Sequence, residues 1–199
     1  MQDLSRYPEK KNFMLELASS LRDALANQHR RLVLVESCTA GRVAATLGLL
    51  PGISQWLCGS LVVYRNASKS AWLGVPGSLL DDPQQGPVSA AASRWLARAA
   101  LERTPEAGLA VAITGDIGPH APSATDGCIF LAAALRVDCA EKAASSSTTA
   151  DAIKICEQQL RLAAPAPRDR SDIAARQARL EEATRATLSF AILQLTALT

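Results

Sequence analysis

The order of elements along the chain predicts an α/β fold, a three-layer α/β/α sandwich. Short, continuously apolar runs, "RLVLVE", "LAVAIT" and "CIFLAAAL", read as strands buried on both faces. Segments of helical period alternate with them, and strands alternating with helices build a sheet covered on both sides. An amphipathic helix opens the pattern and a long one closes it. With 199 residues the chain is long enough to bury one core, and residues 1–199 read as a single domain.

Taken in order, Met14, Leu17, Ala18, Leu21, Ala24 and Leu25 recur at helical spacing, predicting a first helix that ends near "QHRR". "RLVLVE" is the first strand. "TAGRVAATLGLL" behind it is helical until Pro51 and Gly52 stop it. "WLCGSLVVY" (56–64) reads as a second strand, and Asn66 can cap a short helix that Gly74 ends. After a loop rich in proline and glycine, Ser89 caps a long helix to about Arg103. Strands follow at 109–114 and 128–135, with "GDIGPHAPSATDG" between them. "AASSSTTADA" and "APAPRDR" are loop-like and bracket "IKICEQQLRL", which leans to strand over helix. Leu180, Ala183, Thr187, Leu188, Ala191 and Leu195 predict a closing helix from about 172 to 198.

Charge excludes some function classes. A formal charge of +2 leaves no electrostatic footprint for nucleic acid. The start, "MQDLSRYPEKKNF", lacks the apolar core of a signal peptide, and no stretch approaches the roughly 20 apolar residues that cross a bilayer. No membrane partner and a cytoplasmic location are expected. The five cysteines include no C-x-x-C pair, so neither a disulfide framework nor a metal site is suggested.

Chemistry gathers where the first strand ends, at Glu36, Ser37 and Cys38. Ligands of open α/β sheets collect beyond the carboxyl ends of strands. Ser37 or Thr39 could instead merely cap the following helix. A serine hydroxyl needs a base, and of the two histidines only His120 lies in a suitable loop. Another base is at hand: "VVYRNASK" puts Tyr64 at the end of the second strand and Lys69 in the first turn of the next helix. Burial disfavours the ammonium form, which lets a lysine act as base, with a tyrosine hydroxyl to relay or donate a proton.

These residues carry a resemblance. "ESCTAG", "VVYRNASK" with "LGV", "GPVS", "AVAITGDIGP" and "DGCIFLA", in that order, resemble the CinA C-terminal domain family, the nicotinamide mononucleotide deamidases, over residues 13 to about 135. Members typically read E-S-C-T-G-G or E-S-C-T-A-G, then Y-S-N-E-A-K, G-A-V-S and T-G-I-A-G-P-G-G-G-S. The resemblance implies the same sandwich, commonly dimeric, and hydrolysis of the mononucleotide's carboxamide without metal or cofactor. It implies Ser37 as nucleophile with Tyr64 and Lys69 as activating partners, and backbone N–H groups around Cys38 to Gly41 as oxyanion donors. Substrate contacts are expected from Glu36, Cys38, Thr39, Gly41, Asn66, Thr114, Gly115, Gly118 and Arg176. Several keep bland alternatives: Glu36 as a strand-end carboxylate tied to backbone donors, Asn66 as a helix cap, Gly115 and Gly118 as turn glycines, Cys38 as packing beneath the loop or as a rival nucleophile. Arg176 is placed by fitting the family's G-D-R-x-x-V-R to the last helix, where Leu180 takes the second arginine's place. A second register uses Asp169 and Arg170. After "GDIGP" this chain reads "HAPSATDG", with the family's glycines replaced, and residues 136–175 read as a divergent insertion. The expectation is therefore an amidohydrolase of a small-molecule nucleotide. The alternative is a catalytically silent or respecified relative that binds a nucleotide or a partner protein.

Overall fold

The structure, a computed structural model, describes residues 9–137 and 152–197. Helix α1 (Glu9–Asn27) leads into β1 (Leu32–Glu36), α2 (Arg42–Leu47), a single 3-10 turn (Ile53–Gln55), β2 (Leu57–Val62), α3 (Asn66–Leu73), α4 (Gly77–Leu80) and α5 (Ala90–Arg103). Strands β3 (Leu109–Gly115), β4 (Cys128–Val137) and β5 (Ala152–Arg161) precede α6 (Ile173–Thr196). The sheet order is β2-β1-β3-β4-β5.

Strand alternation divides the core. Leu32 and Leu34, Leu109, Val111 and Ile113, and Ile129, Leu131 and Ala133 face α1, α2 and α6, meeting Leu21, Leu25, Val43, Leu188 and Leu195. The intervening Val33, Val35, Ala110, Ala112, Ala132 and Ala134 face α5, where Ala97, Ala100 and Leu96 pack on them. Alanine opposite alanine lets α5 sit close to the sheet. Leu21 and Leu25 are fully buried, so truncating either to alanine should cost about 2–5 kcal/mol.

The long helices end as their sequences direct. Ser89 Oγ accepts from the Ala92 amide at 3.1 Å at the start of α5, and Asp172 accepts from the Ala175 amide at 3.2 Å at the start of α6. Gly74 closes α3 in the left-handed conformation. Asn66, expected as a cap, is instead the first helical residue of α3, whose N-cap is Arg65 with no side-chain hydrogen bond. The loop expected after Gly74 holds the short α4. The stretch 143–152, expected to be a loop, lies outside the described residues except for its last, which begins β5.

The sheet is mixed. β1 runs parallel to both β2 and β3, while β4 is antiparallel to β3 and β5 to β4. The connection from β3 to β4 contains no crossover helix, so the chain turns straight back. Helix α2, on the connection from β1 to β2, lies on one face, and α5, on the connection from β2 back across β1 to β3, lies on the other, so the strand order reverses between β1 and β3. A crevice opens at the carboxyl ends of β1 and β3, where open α/β sheets hold their ligands.

Candidate functional site

The crevice forms a cavity of about 320 Å³ lined by Ser37, Tyr64, Lys69, Thr114, Asp116 and Arg176, among others. Ser37 is placed by the sheet itself: its amide donates to Ile113 O at 3.1 Å, extending the β1–β3 ladder by one bond. Beyond it the backbone turns through Ala40 (φ 53°) and Gly41 (φ 91°), both left-handed. Gly41 is the N-cap of α2, with no side-chain bond, so neither Ser37 nor Thr39 caps this helix. Glu36 replaces the cap. Its carboxylate is fully buried and accepts from the Val43 and Ala44 amides at 3.0 and 2.9 Å and from Ser60 Oγ at 3.1 Å. A negative charge at the first turn of α2 also complements the positive end of the helix dipole.

The Ser37 hydroxyl has a different partner. Lys69, in the first turn of α3 and 2% exposed, donates from Nζ to Ser37 Oγ at 3.1 Å and to Val63 O at 3.0 Å. Burial holds the Lys69 amine below the ordinary lysine value of 10.5, and the neighbouring Cys38 opposes that only in part. A lysine in this state can accept a proton from the hydroxyl it touches. Cys38 is a poor rival: burial, assisted by Glu36 and Asp116, pushes its thiol up to about 12. His120 lines the same cavity, but among the described residues no hydrogen bond joins it to Ser37.

Tyr64 stands at the mouth, 53% exposed, and its hydroxyl accepts from Arg176 Nη2 at 2.9 Å. Among the described residues no hydrogen bond joins Tyr64 to Ser37 or Lys69. Arg176 also donates to Gly118 O, so one guanidinium spans from β2's exit to the 116–127 loop. The arginine of the favoured register therefore borders the cavity, whereas Arg170 of the other register is exposed outside it.

The expected contacts divide. Cys38, Asn66, Thr114, Gly115, Gly118 and Arg176 line the cavity with Ser37, Tyr64 and Lys69. Glu36, Thr39 and Gly41 do not. Glu36 is turned into α2, Thr39 is buried with an unpartnered Oγ1, and Gly41 supplies the left-handed turn with Val62 packed beside it. Gly115 is required by packing, since a Cβ there would lie 2.7 Å from Ile129 Cγ2 and 2.8 Å from Cys128 O. Thr114 Oγ1 donates to Pro87 O at 2.8 Å and ties the "GPVS" loop to the end of β3.

Two features escaped the sequence reading. Asp116 lines the cavity, and Arg179, 4% exposed, grips Asp126 through two bonds of 2.6 and 2.8 Å beneath the loop. Asp116 was legible as the residue following the highlighted Gly115. Arg179 has no such signal, because on a helix wheel it is one more basic residue. Among the described residues no cluster of three or more His, Cys, Asp or Glu could hold a metal, and no helix is long and apolar enough to cross a membrane.

Comparison with known proteins bears on the family and the fold. A "CinA-like protein" of Geobacter metallireducens is 38% identical over 113 residues, 56% of this chain and 27% of that protein. One from Anaeromyxobacter sp. is 43% identical over 112 residues, again 27% of its length. The chain thus matches about a quarter of the length of these curated relatives. The competence/damage inducible protein CihA of Agrobacterium tumefaciens superposes with a TM-score of 0.72 at 26% identity, covering 98% of this chain and 99% of that one. A competence-damaged protein (CinA) superfamily protein of Klebsiella pneumoniae gives 0.74 at 22% identity, covering 92% and 98%, a likeness of fold. The family model for the CinA C-terminal domain matches residues 14–165, from within α1 past the end of β5, and the chain belongs to that family.

Proposed function

We propose that the chain is an amidohydrolase in which Ser37 attacks a carboxamide with Lys69 as its base. The carboxamide is that of nicotinamide mononucleotide, converted to nicotinate mononucleotide and ammonia. The observation that carries this reading is the buried Lys69 amine, 3.1 Å from the Ser37 hydroxyl and held below its ordinary protonation range. A hydroxyl that only capped a helix would have no need of such a partner. The choice of nucleotide rests on the family resemblance and on Arg176, a cation at the mouth that keeps N–H donors for a phosphate beyond the two it spends on Tyr64 and Gly118.

In this mechanism the neutral Lys69 amine takes the Ser37 proton as Oγ adds to the amide carbon. The amides of Ala40, Arg42, Val43, Ala44 and Ala45 are already committed within the loop and α2. Among the described residues no backbone carbonyl accepts from Cys38, whose amide adjoins the nucleophile and serves as an oxyanion donor. The Lys69 ammonium returns its proton to the departing nitrogen, the carbon–nitrogen bond breaks and ammonia leaves an ester on Ser37. Water then attacks that ester with Lys69 again as base, releasing the acid and restoring the hydroxyl. Tyr64 acts at the mouth, where its hydroxyl is oriented by Arg176.

The test is ammonia release from purified protein given nicotinamide mononucleotide, nicotinamide riboside and simple amides. Release should be fastest with the mononucleotide and absent in Ser37→Ala. Binding of the mononucleotide with no ammonia from any amide would identify a silent nucleotide binder instead.

A further inference from the structure

We propose that Asp116 makes this cavity select a ligand whose ring carries a positive charge, the pyridinium of a nicotinamide nucleotide over a neutral ring of nearly the same shape, a preference that rests on the amidase reading of the same site and adds the residue that sets it. Asp116 follows Gly115 at the end of β3 and, among the described residues, is the only carboxylate lining the cavity. Among the described residues no ion pair takes it, although it is half-buried. A carboxylate partly withdrawn from water and lacking a counter-charge favours a cationic neighbour.

Its position is fixed from several sides. The Asp116 amide donates to Cys128 O at 3.0 Å, and its carbonyl accepts from the Gly127 amide at 2.8 Å. Thr125 Oγ1 donates to Oδ2, which leaves Oδ1 for a ligand. The next residue, Asp126, is gripped by Arg179, so the segment that orients the carboxylate is itself anchored to α6. The charge reaches the cavity floor, where it adds to burial and Glu36 in raising the thiol of Cys38, the neighbour of the nucleophile. Arg176 supplies the opposite sign at the mouth. A ligand that fills the cavity therefore meets one carboxylate and one guanidinium, and a cationic ring bearing a phosphate answers both.

The experiment uses calorimetric titration of Ser37→Ala, which holds ligand without turnover, with nicotinamide mononucleotide and with its reduced dihydro form, whose ring is uncharged. The oxidised form should bind about tenfold more tightly, and added salt should erode the difference. In Ser37→Ala carrying Asp116→Asn, which keeps an acceptor for Thr125, the two forms should bind alike. Equal binding of both forms by Ser37→Ala, or a preference unchanged by Asp116→Asn, overturns the assignment, and the first of these comparisons does not depend on the Asn variant folding. Ammonia release without any charge preference removes Asp116's role and leaves the amidase reading. A charge preference without ammonia release does the reverse. Binding of neither form removes both.

Discussion

The floor and the wall of the cavity are held by different means. Ser37 and Lys69 form the floor, fixed by the ends of β1 and β2: the Ser37 amide bonds to Ile113 O and the Lys69 amine to Val63 O. The wall, residues 116–127, is tied by arginines distant in sequence, Arg176 to Gly118 O, Arg179 to Asp126 and Arg161 to Ala124 O and Asp126 O. Floor geometry comes with the sheet ladder, whereas the wall shares backbone bonds at its two ends, Asp116 with Cys128 and Gly127, and between them depends on individual long side chains. Chemistry can therefore stay constant while ligand preference changes.

The sharpest way to break this contrast is at the floor. Ser37→Ala should reduce ammonia release by about 10³-fold or more while the thermal midpoint stays near that of the parent, because only one hydroxyl is lost. Retained activity would mean that the wall, or another group, carries the chemistry.

Lys69→Arg comes next, with an expected loss of about 10²- to 10⁴-fold, since arginine keeps the charge but cannot serve as a base near neutral pH. In the parent, the rate should rise with pH as the amine loses its proton, with the inflection below 10.5. Stability carries a matching signature. Because burial lowers the folded-state value, the unfolded chain binds more protons between that value and 10.5, so stability rises with pH across that window. Below it the cost of burying the ammonium is complete, and Lys69→Met should melt higher than the parent by a margin that shrinks as pH rises. Melting curves with no such pH-dependent margin would show that Lys69 is not buried as an amine.

At the wall the effects should be smaller and of another kind. Arg176→Ala should raise the Michaelis constant for the mononucleotide by about 10- to 150-fold with little change in turnover, because a phosphate contact holds ground and transition states alike. An equal fall in turnover would place Arg176 in the chemistry.

Arg179 should leave the chemistry least affected. Arg179→Ala should cost about 3 kcal/mol of stability, the low end for a buried pair, since Asp126 keeps 28% of its side chain exposed. Arg179 holds the Asp126 carboxyl below its ordinary 3.8, chiefly through the hydrogen bond. That contribution is present above 3.8 and lost as pH falls through the lower folded value, so Asp126→Asn and the parent should melt apart at pH 7 and together in strong acid. A constant gap would assign the clasp's effect to packing rather than charge.

Sequence by itself determined β1 to β4, the long helices and the edge of the sheet at which Ser37 and Lys69 lie, and only leaned to strand at β5. Unbroken apolar runs can be satisfied only inside a sheet covered on both faces, and Ser37, Tyr64 and Lys69 sit at strand ends or the next helix turn, where local spacing fixes their edge of the sheet. Spacing also left ambiguities that only packing resolved. Glu36 is the last residue of a strand whose pleat turns its carboxylate into α2 and away from the cavity, an outcome set by the left-handed turn at Ala40 and Gly41. Asn66 became a first helical residue because the chain entered α3 one residue earlier than capping chemistry suggested. The reversal from β3 into β4, the Arg176 bridge and the Arg179 clasp join residues far apart in the chain. Local periodicity carries no record of such pairs, because an arginine on α6 looks the same whether it meets water or a buried carboxylate, and only the docking of α6 beside the 116–127 loop decides between them.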